Sequence, residues 1–239
     1  MLSIFCSIFL NYRLKIVQLL FGRNCFLCGS AATEDLCTPC RDSLPHISGP
    51  HCPVCALPME EARVCGACLA HPPAFDLTLA AVNYAFPIDA LLHSLKYRTN
   101  LALAPVLADL LLAQIDKAVL PDFIVPMPLH AVRLRERGFN QAMEIGRQIS
   151  KKLDVPLLPA LCRRVRDTAS QTRLPWKERE KNIRNAFDCE ENLDGKHIAI
   201  VDDVMTTGAT LNELARVLRK CGAVHISAWV VARTLPGTP

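Results

Sequence analysis

The stretch VDDVMTTGATL, residues 201–211, decides the fold. It is entered through HIAIVDD (197–203), an apolar run of strand length. It is left through residues 209–220, where Leu211, Leu214, Val217 and Leu218 fall on one stripe of a helix. Gly222 marks the helix stop, and VHISAWVVAR (224–233) reads as the next strand. Strand, crossover helix and strand predict a parallel sheet with a right-handed connection. In open parallel sheets ligands bind beyond the carboxyl ends of the strands, where loops lead into helices, and VDDVMTTGATL occupies such a place.

The residue types in this stretch suit an anion. A helix start offers unsatisfied backbone N–H groups and partial positive charge, so the turn Val204, Met205, Thr206, Thr207, Gly208, Ala209 and Thr210 is a candidate binding segment. Gly208 lets the backbone approach a phosphate closely, and the three threonines supply hydroxyl donors. Asp202 and Asp203, just upstream, can accept hydrogen bonds from sugar hydroxyls or approach a metal-bound sugar. Taken separately, the two acids would simply end a strand and Thr207 would cap a helix. The combination fits a phosphorylated ribose better than either feature alone.

Working backwards, LTLAAVNY (77–84) reads as a strand, PIDALLHSLKY (87–97) as a helix opened by proline, and LALAPVLADLLLAQIDKAV (101–119) as a helix interrupted near its start by Pro105. FIVPMP (123–128) is a short strand. A helix over 140–152 would bury Met143, Ile145 and Ile149, and a short strand follows near 155–158. The polar, arginine-rich segment 163–182 reads as a loop. His71, Pro72 and Pro73 form a stiff joint, where a domain boundary is expected.

Apolar strand, acidic pair and threonine cluster together resemble the signature of type I phosphoribosyltransferases. In that family the acidic pair holds the ribose hydroxyls of phosphoribosyl pyrophosphate, and the following turn holds its 5-phosphate. VPMPLHAVRLRERGFNQA (125–142), RDTASQTRLPWKEREKNIRNAF (166–187) and the cysteine-rich N-terminus extend the likeness to the ComF/GntX family of competence-associated proteins, over nearly the whole chain after about residue 20. The resemblance implies that the turn Pro126–His130, with Pro128, Leu129 and His130, is the pyrophosphate loop, reinforced by Arg133, Arg135 and Arg137. Each arginine is equally readable as a solvated surface charge, Phe139 as core and Asn140 as a helix cap. If transfer occurs, Mg2+ bridges pyrophosphate oxygens and ribose hydroxyls while Asp202 and Asp203 hold the sugar. No motif identifies the acceptor base.

Eight of the twelve cysteines stand in four C-x-x-C pairs: Cys25/Cys28, Cys37/Cys40, Cys52/Cys55 and Cys65/Cys68. Each pair can present two thiolates to one tetrahedral ion, so the pairs predict two structural Zn2+ sites with closed four-sulfur shells. Spacing leaves sequential and interleaved assignments open. Cys6, Cys162, Cys189 and Cys221 have no partner spacing and read as packing residues. The absence of a thioredoxin-like context argues against redox pairs. Metal-type cysteine usage points to a reducing, cytoplasmic compartment.

The expected organisation is therefore an α/β protein: a type I phosphoribosyltransferase-like parallel sheet flanked by helices over residues 74–239, a double zinc ribbon over 23–73, and an amphipathic helix over 1–22. That first segment is broken by Asn11, Arg13 and Lys15, too early for a membrane span, and lacks the pattern of a secretory signal. At 51% apolar and 21% charged residues the chain has the composition of a globular protein. Its net charge of +4 is uneven: residues 133–187 hold 14 Lys and Arg against 6 Asp and Glu. Such a block attracts phosphates or nucleic acid alike. Three functions follow as expectations: a phosphoribosyl-transferring enzyme, a non-catalytic sensor of phosphoribosyl pyrophosphate or a nucleotide, and a protein that handles single-stranded DNA with the uptake machinery. Aromatic platforms for single strands are sparse in the basic block, where Phe139, Trp176 and Phe187 are the only aromatics.

Overall fold

Residues 23–167 and 183–236 are described by the structure, a computed structural model. The proposed helix over 1–22 and most of the arginine-rich segment lie outside the described residues. The chain forms two units, residues 1–44 and 45–239.

In the first unit, β1 (Arg23–Asn24) pairs antiparallel with β2 (Ala31–Ala32), and α1 (Thr38–Asp42) follows. Cys25 and Cys28 sit in the tight turn between the strands. Cys25 N–H donates to Ser30 O at 2.8 Å and Gly29 N–H to Cys25 O at 2.9 Å, with Gly29 left-handed at φ 73°.

The second unit opens with the same device. Cys52 N–H donates to Leu57 O at 2.9 Å and Ala56 N–H to Cys52 O at 2.8 Å, and Ala56 takes the left-handed place (φ 57°) that Gly29 holds in the first turn. The short helix α2 (Gly66–Ala70) brings in Cys68. Then come β3 (Leu77–Asn83), α3 (Ile88–Arg98), α4 (Leu103–Leu112), β4 (Phe123–Pro126), α5 (Ala131–Arg137) and α6 (Gln141–Leu153). A small antiparallel pair, β5 (Arg163–Arg164) with β6 (Phe187–Asp188), precedes β7 (His197–Met205), α7 (Ala209–Lys220) and β8 (His225–Arg233).

The main sheet has the order β3-β8-β7-β4, with every neighbouring pair parallel. Ile198, Ala199, Ile200 and Val201 are fully buried, as a central parallel strand covered on both faces must be. The strand–helix–strand unit predicted around residues 201–211 is present as β7-α7-β8. Helix α7 starts and ends where its apolar stripe does, and β7 runs to Met205, two residues past the expected end.

Three expectations shift. Helix α4 stops at Leu112 because Asp116 turns its carboxylate back onto Ala118 N–H (2.9 Å), giving the chain a turn in place of further helix. Pro105 is tolerated inside its first turn, where the missing N–H has no partner to lose. Residues 155–158 extend the sheet edge through a single parallel bridge, Ile124 N–H to Pro156 O and Leu158 N–H to Ile124 O, both 2.8 Å. Met143 is only half-buried, whereas Ile145 and Ile149 are core.

The unit boundary lies between residues 44 and 45, ahead of the second cysteine quartet, whereas the proline joint stands at 71–73. The reason is bonding between that quartet's turn and the sheet. Thr78 N–H donates to Pro53 O at 3.0 Å, Thr78 Oγ1 to Val54 O at 2.6 Å, and Arg233 Nε to Cys55 O at 2.7 Å. Cys52, Cys55, Cys65 and Cys68 share one apolar cluster with Phe75, Leu211, Leu214 and Val230. Among the described residues, no helix is long and apolar enough to cross a membrane.

Candidate functional site

Gly208 sits at the N-cap of α7 in the left-handed region (φ 80°), and a Cβ there would stand 2.7 Å from Met205 Cε and 3.8 Å from Phe75 Cζ. The backbone angle favours glycine here, and any side chain would also have to displace the Met205 methyl. Thr207 Oγ1 accepts from Ala209 N–H at 3.1 Å, satisfying one donor of the helix start. The loop folds around a cavity of about 30 Å3 bordered by Asp202, Val204, Thr206, Gly208, Ala209 and Thr210. Met205 also borders it, although its side chain is buried beneath Gly208.

The two carboxylates of this loop are in different states. Asp203 is buried; its Oδ1 accepts from Gln141 Nε2 at 3.1 Å and its Oδ2 is ion-paired with Lys96 Nζ. Burial pushes its pKa up most, but the Lys96 ammonium together with hydrogen bonds from Lys96, Asp202 and Gln141 holds it below the usual carboxylate range. Lys96 in turn is raised despite burial, by Asp203. Asp202 is pushed well above the usual range, first by burial and then by the neighbouring Asp203 charge, while its Oδ1 accepts from Asp203 N–H at 2.8 Å. The two neighbours are thus driven in opposite directions, Asp202 toward its protonated form and Asp203 toward its charged form.

The RGFNQ segment meets this pair. Asn140 caps α6 by accepting from Ala142 N–H (3.0 Å) and Met143 N–H (3.4 Å), and its Nδ2 donates to Met127 O at 3.0 Å. The cap thereby ties the helix start to the end of β4. Phe139 is core. Arg137 donates to Gln141 Oε1 and lies 5.7 Å over the Tyr97 ring, so Arg137, Gln141, Asp203 and Lys96 form one connected chain of polar side chains.

In the turn after β4, Met127 N–H donates to Val201 O at 2.8 Å; Pro128 is buried, Leu129 half-buried, and His130 caps α5 by accepting from Val132 N–H at 3.4 Å. His130 Nδ1 is 3.7 Å from Asp167 Oδ1. Of the predicted arginines, Arg137 alone is linked to the acidic pair; Arg133 is exposed and paired with Glu136 at 3.1 Å, and Arg135 is exposed. Sequence reasoning missed Lys96, which reads as a cation at a helix C-terminus, and Arg164, a half-buried guanidinium whose pKa burial lowers against the pull of the Asp202 and Asp167 carboxyls. Lys96 is legible as a cation but not as a partner, since nothing local joins residues 96 and 203.

The sulfur atoms gather in the sequential assignment: Cys25, Cys28, Cys37 and Cys40 in one group, Cys52, Cys55, Cys65 and Cys68 in the other, each group within 4.8 Å. Cys28 Sγ and Cys37 Sγ are 3.7 Å apart, as are Cys55 Sγ and Cys65 Sγ. Four sulfurs each ~2.3 Å from a central zinc lie about 3.8 Å from one another, a spacing that both quartets suit. Main-chain donors already face the sulfurs: Cys65 N–H points at Cys52 Sγ (3.3 Å), and such contacts hold Cys52 at about 7 against the upward push of burial. Burial drives Cys221 up to about 11 and Cys162 further, which keeps both as inert thiols.

Residues 16–69 match the double zinc ribbon domain and residues 140–238 the phosphoribosyl transferase domain. Over 226 residues the chain is 34% identical to competence protein F of Haemophilus influenzae, spanning 89% of this chain and 98% of the relative. The chain belongs to the competence protein F family. A second relative of this family member is the DNA utilization protein YhgH of Escherichia coli, 37% identical over 191 residues, 77% of this chain and 84% of that one. Purine phosphoribosyltransferase from Pyrococcus horikoshii overlaps with a TM-score of 0.33 at 20% identity, covering 68% of this chain and 83% of that chain.

Proposed function

We propose that this member of the family binds phosphoribosyl pyrophosphate with Mg2+ at the 201–211 loop and transfers the phosphoribosyl group, in a role linked to DNA uptake and competence. The observation that carries the reading is the small cavity at the start of α7, with Asp202 on its rim and Asp203 next to it in the chain. A phosphate dianion in that cavity would take the N–H groups of the helix start and the threonine hydroxyls. The ribose would then extend toward Asp202 and Asp203, and the pyrophosphate toward the Pro128–His130 turn, with Arg137 and Arg133 nearest.

In the transfer, a lone pair of the acceptor forms a bond to ribose C1 as the bond to pyrophosphate breaks, its electron pair leaving with pyrophosphate. Positive charge grows on the sugar, and the ionised Asp203, fixed by Lys96 and Gln141, opposes it. In its protonated form Asp202 would donate a hydrogen bond to a ribose hydroxyl, and in its ionised form it would accept one. Magnesium would enter with the diphosphate, held by ligand oxygens and the acidic pair. It would neutralise the leaving group.

The test is calorimetric titration with phosphoribosyl pyrophosphate and Mg2+, repeated on Asp202→Asn plus Asp203→Asn. Binding by the unmodified protein and loss in the variant support the site; no binding removes both the transferase and the sensor reading. Pyrophosphate release across a panel of nucleobases then separates those two. The link to DNA rests on the names of the relatives. Several cations of the basic block are matched by carboxylates, Arg133 with Glu136, Arg147 with Glu144 and Arg163 with Asp188 and Glu190. Direct gripping of single strands would have to displace those pairs and predicts a salt-sensitive affinity; an undetectable one would sink it.

A further inference from the structure

Arg233 closes β8, is 2% exposed, and sends its guanidinium into main-chain carbonyls: Cys55 O at 2.7 Å, Met205 O at 3.1 Å, Thr234 O at 2.7 Å and Thr206 O. One of these acceptors belongs to the second cysteine turn and two to the loop that begins the α7 site. Thr78 adds a second tie, donating to Val54 O in the turn and lying 3.8 Å from Met205 Sδ. The cysteine turn and the loop also face each other across a cavity of about 670 Å3, with Cys55 and Cys68 on one wall and Thr207, Gly208 and Ala209 on another.

The charge fits the place. Four thiolates around one Zn2+ make a doubly negative centre, and a buried cation beside it supplies compensation that water cannot. The planar fork of an arginine can bond several carbonyls at once, which an ammonium cannot do in the same geometry.

We propose that Arg233 is a positioning residue that couples the second zinc site to the 201–211 loop: metal in the Cys52 quartet fixes the Cys55 carbonyl, Arg233 transmits that position to Met205 and Thr206, and the anion site keeps its shape. The loop's identity as an anion site rests on the proposed function, but the coupling does not. Because linkage is reciprocal, an anion at the loop tightens zinc retention by the Cys52 quartet and leaves the Cys25 quartet unaffected.

Amide hydrogen exchange of residues 204–209, with β7 core amides as the internal reference for global stability, tests the coupling without any ligand. Arg233→Gln, and separately Cys65→Ser with Cys68→Ser, are expected to speed exchange at 204–209 by about tenfold relative to the reference, the effect of losing charge-assisted hydrogen bonds. Cys37→Ser with Cys40→Ser is expected to change nothing there, and Arg233→Lys to fall between. Should a double cysteine variant fail to fold, zinc release from Arg233→Gln, followed with a chromogenic chelator, still decides: one of the two ions is expected to leave faster. Unchanged exchange in Arg233→Gln, equal effects from both quartets, or equal acceleration of the reference amides would overturn the coupling. Titration with phosphoribosyl pyrophosphate and Mg2+ forms a separate arm. If exchange behaves as expected and this probe does not bind, the functional reading falls while the coupling stands.

Discussion

Asp202 and Asp203 are neighbours with opposite consequences for stability. Asp203 has a lowered pKa, so its contribution is present above its unfolded value, about 4, and is lost as pH falls through the folded value. Asp202 has a raised pKa, so the folded protein holds a proton that the unfolded chain releases, and stability declines as pH climbs from about 4 toward the folded value. Asn at 202 keeps the acceptor for Asp203 N–H and mimics the protonated acid. Asp202→Asn is therefore expected to raise the melting temperature at neutral pH and to flatten that decline, while Asp203→Asn, which strands Lys96, lowers it. Lys96→Met is expected to cost about 3 kcal/mol in denaturant unfolding, because it leaves Asp203 buried without its counter-ion. A stability change below ~0.5 kcal/mol would contradict the pairing. These three residues also mark where sequence reading stops. The acids announce themselves by adjacency, but which one is charged depends on a lysine 107 positions upstream that the fold brings to Asp203.

At the scale of elements, sequence is most readable where local chemistry and tertiary demand agree. Helix α7 has its apolar stripe, its glycine start and its glycine stop in one short run, and it folds over the predicted residues. The end of helix α4 is hidden because Leu110 to Ile115 continue an apolar pattern that a single aspartate turn overrides. The loop before α7 is the element most exposed to single changes. Gly208→Ala meets both a left-handed backbone and Met205, and is expected to cost about 1–2 kcal/mol and to abolish binding of phosphoribosyl pyrophosphate in calorimetry. Retained affinity would mean that the loop does not close on the phosphate. Asn140→Ala removes a cap and the tie to Met127, with an expected loss of about 1–2 kcal/mol in thermal unfolding. Because that tie positions the 126–130 turn, the variant tests whether the turn matters to ligand affinity as well.

Across the molecule, the cysteine spacing makes two metal sites legible but not their different standing. The Cys25 quartet closes a unit of its own, whereas the Cys52 quartet is part of the larger unit's core. Elemental analysis is expected to find two zinc ions per chain. Losing the first by Cys25→Ser with Cys28→Ser is expected to leave the main thermal transition in place, while losing the second by Cys52→Ser with Cys65→Ser lowers it. A single, equally shifted transition in both variants would refute the difference.

The strand order β3-β8-β7-β4 has a temporal consequence as well. Strand β3 is the first of the sheet to be synthesised, yet apart from a single bridge between His46 and Val82 its pairing is with β8, the last, so the early strand waits for the late one. Such long closures slow folding and leave apolar edges uncovered meanwhile. Residues 77–126 are therefore complete long before the strand that covers them is made. A stop codon ahead of β8 would remove an interior strand and with it the whole sheet.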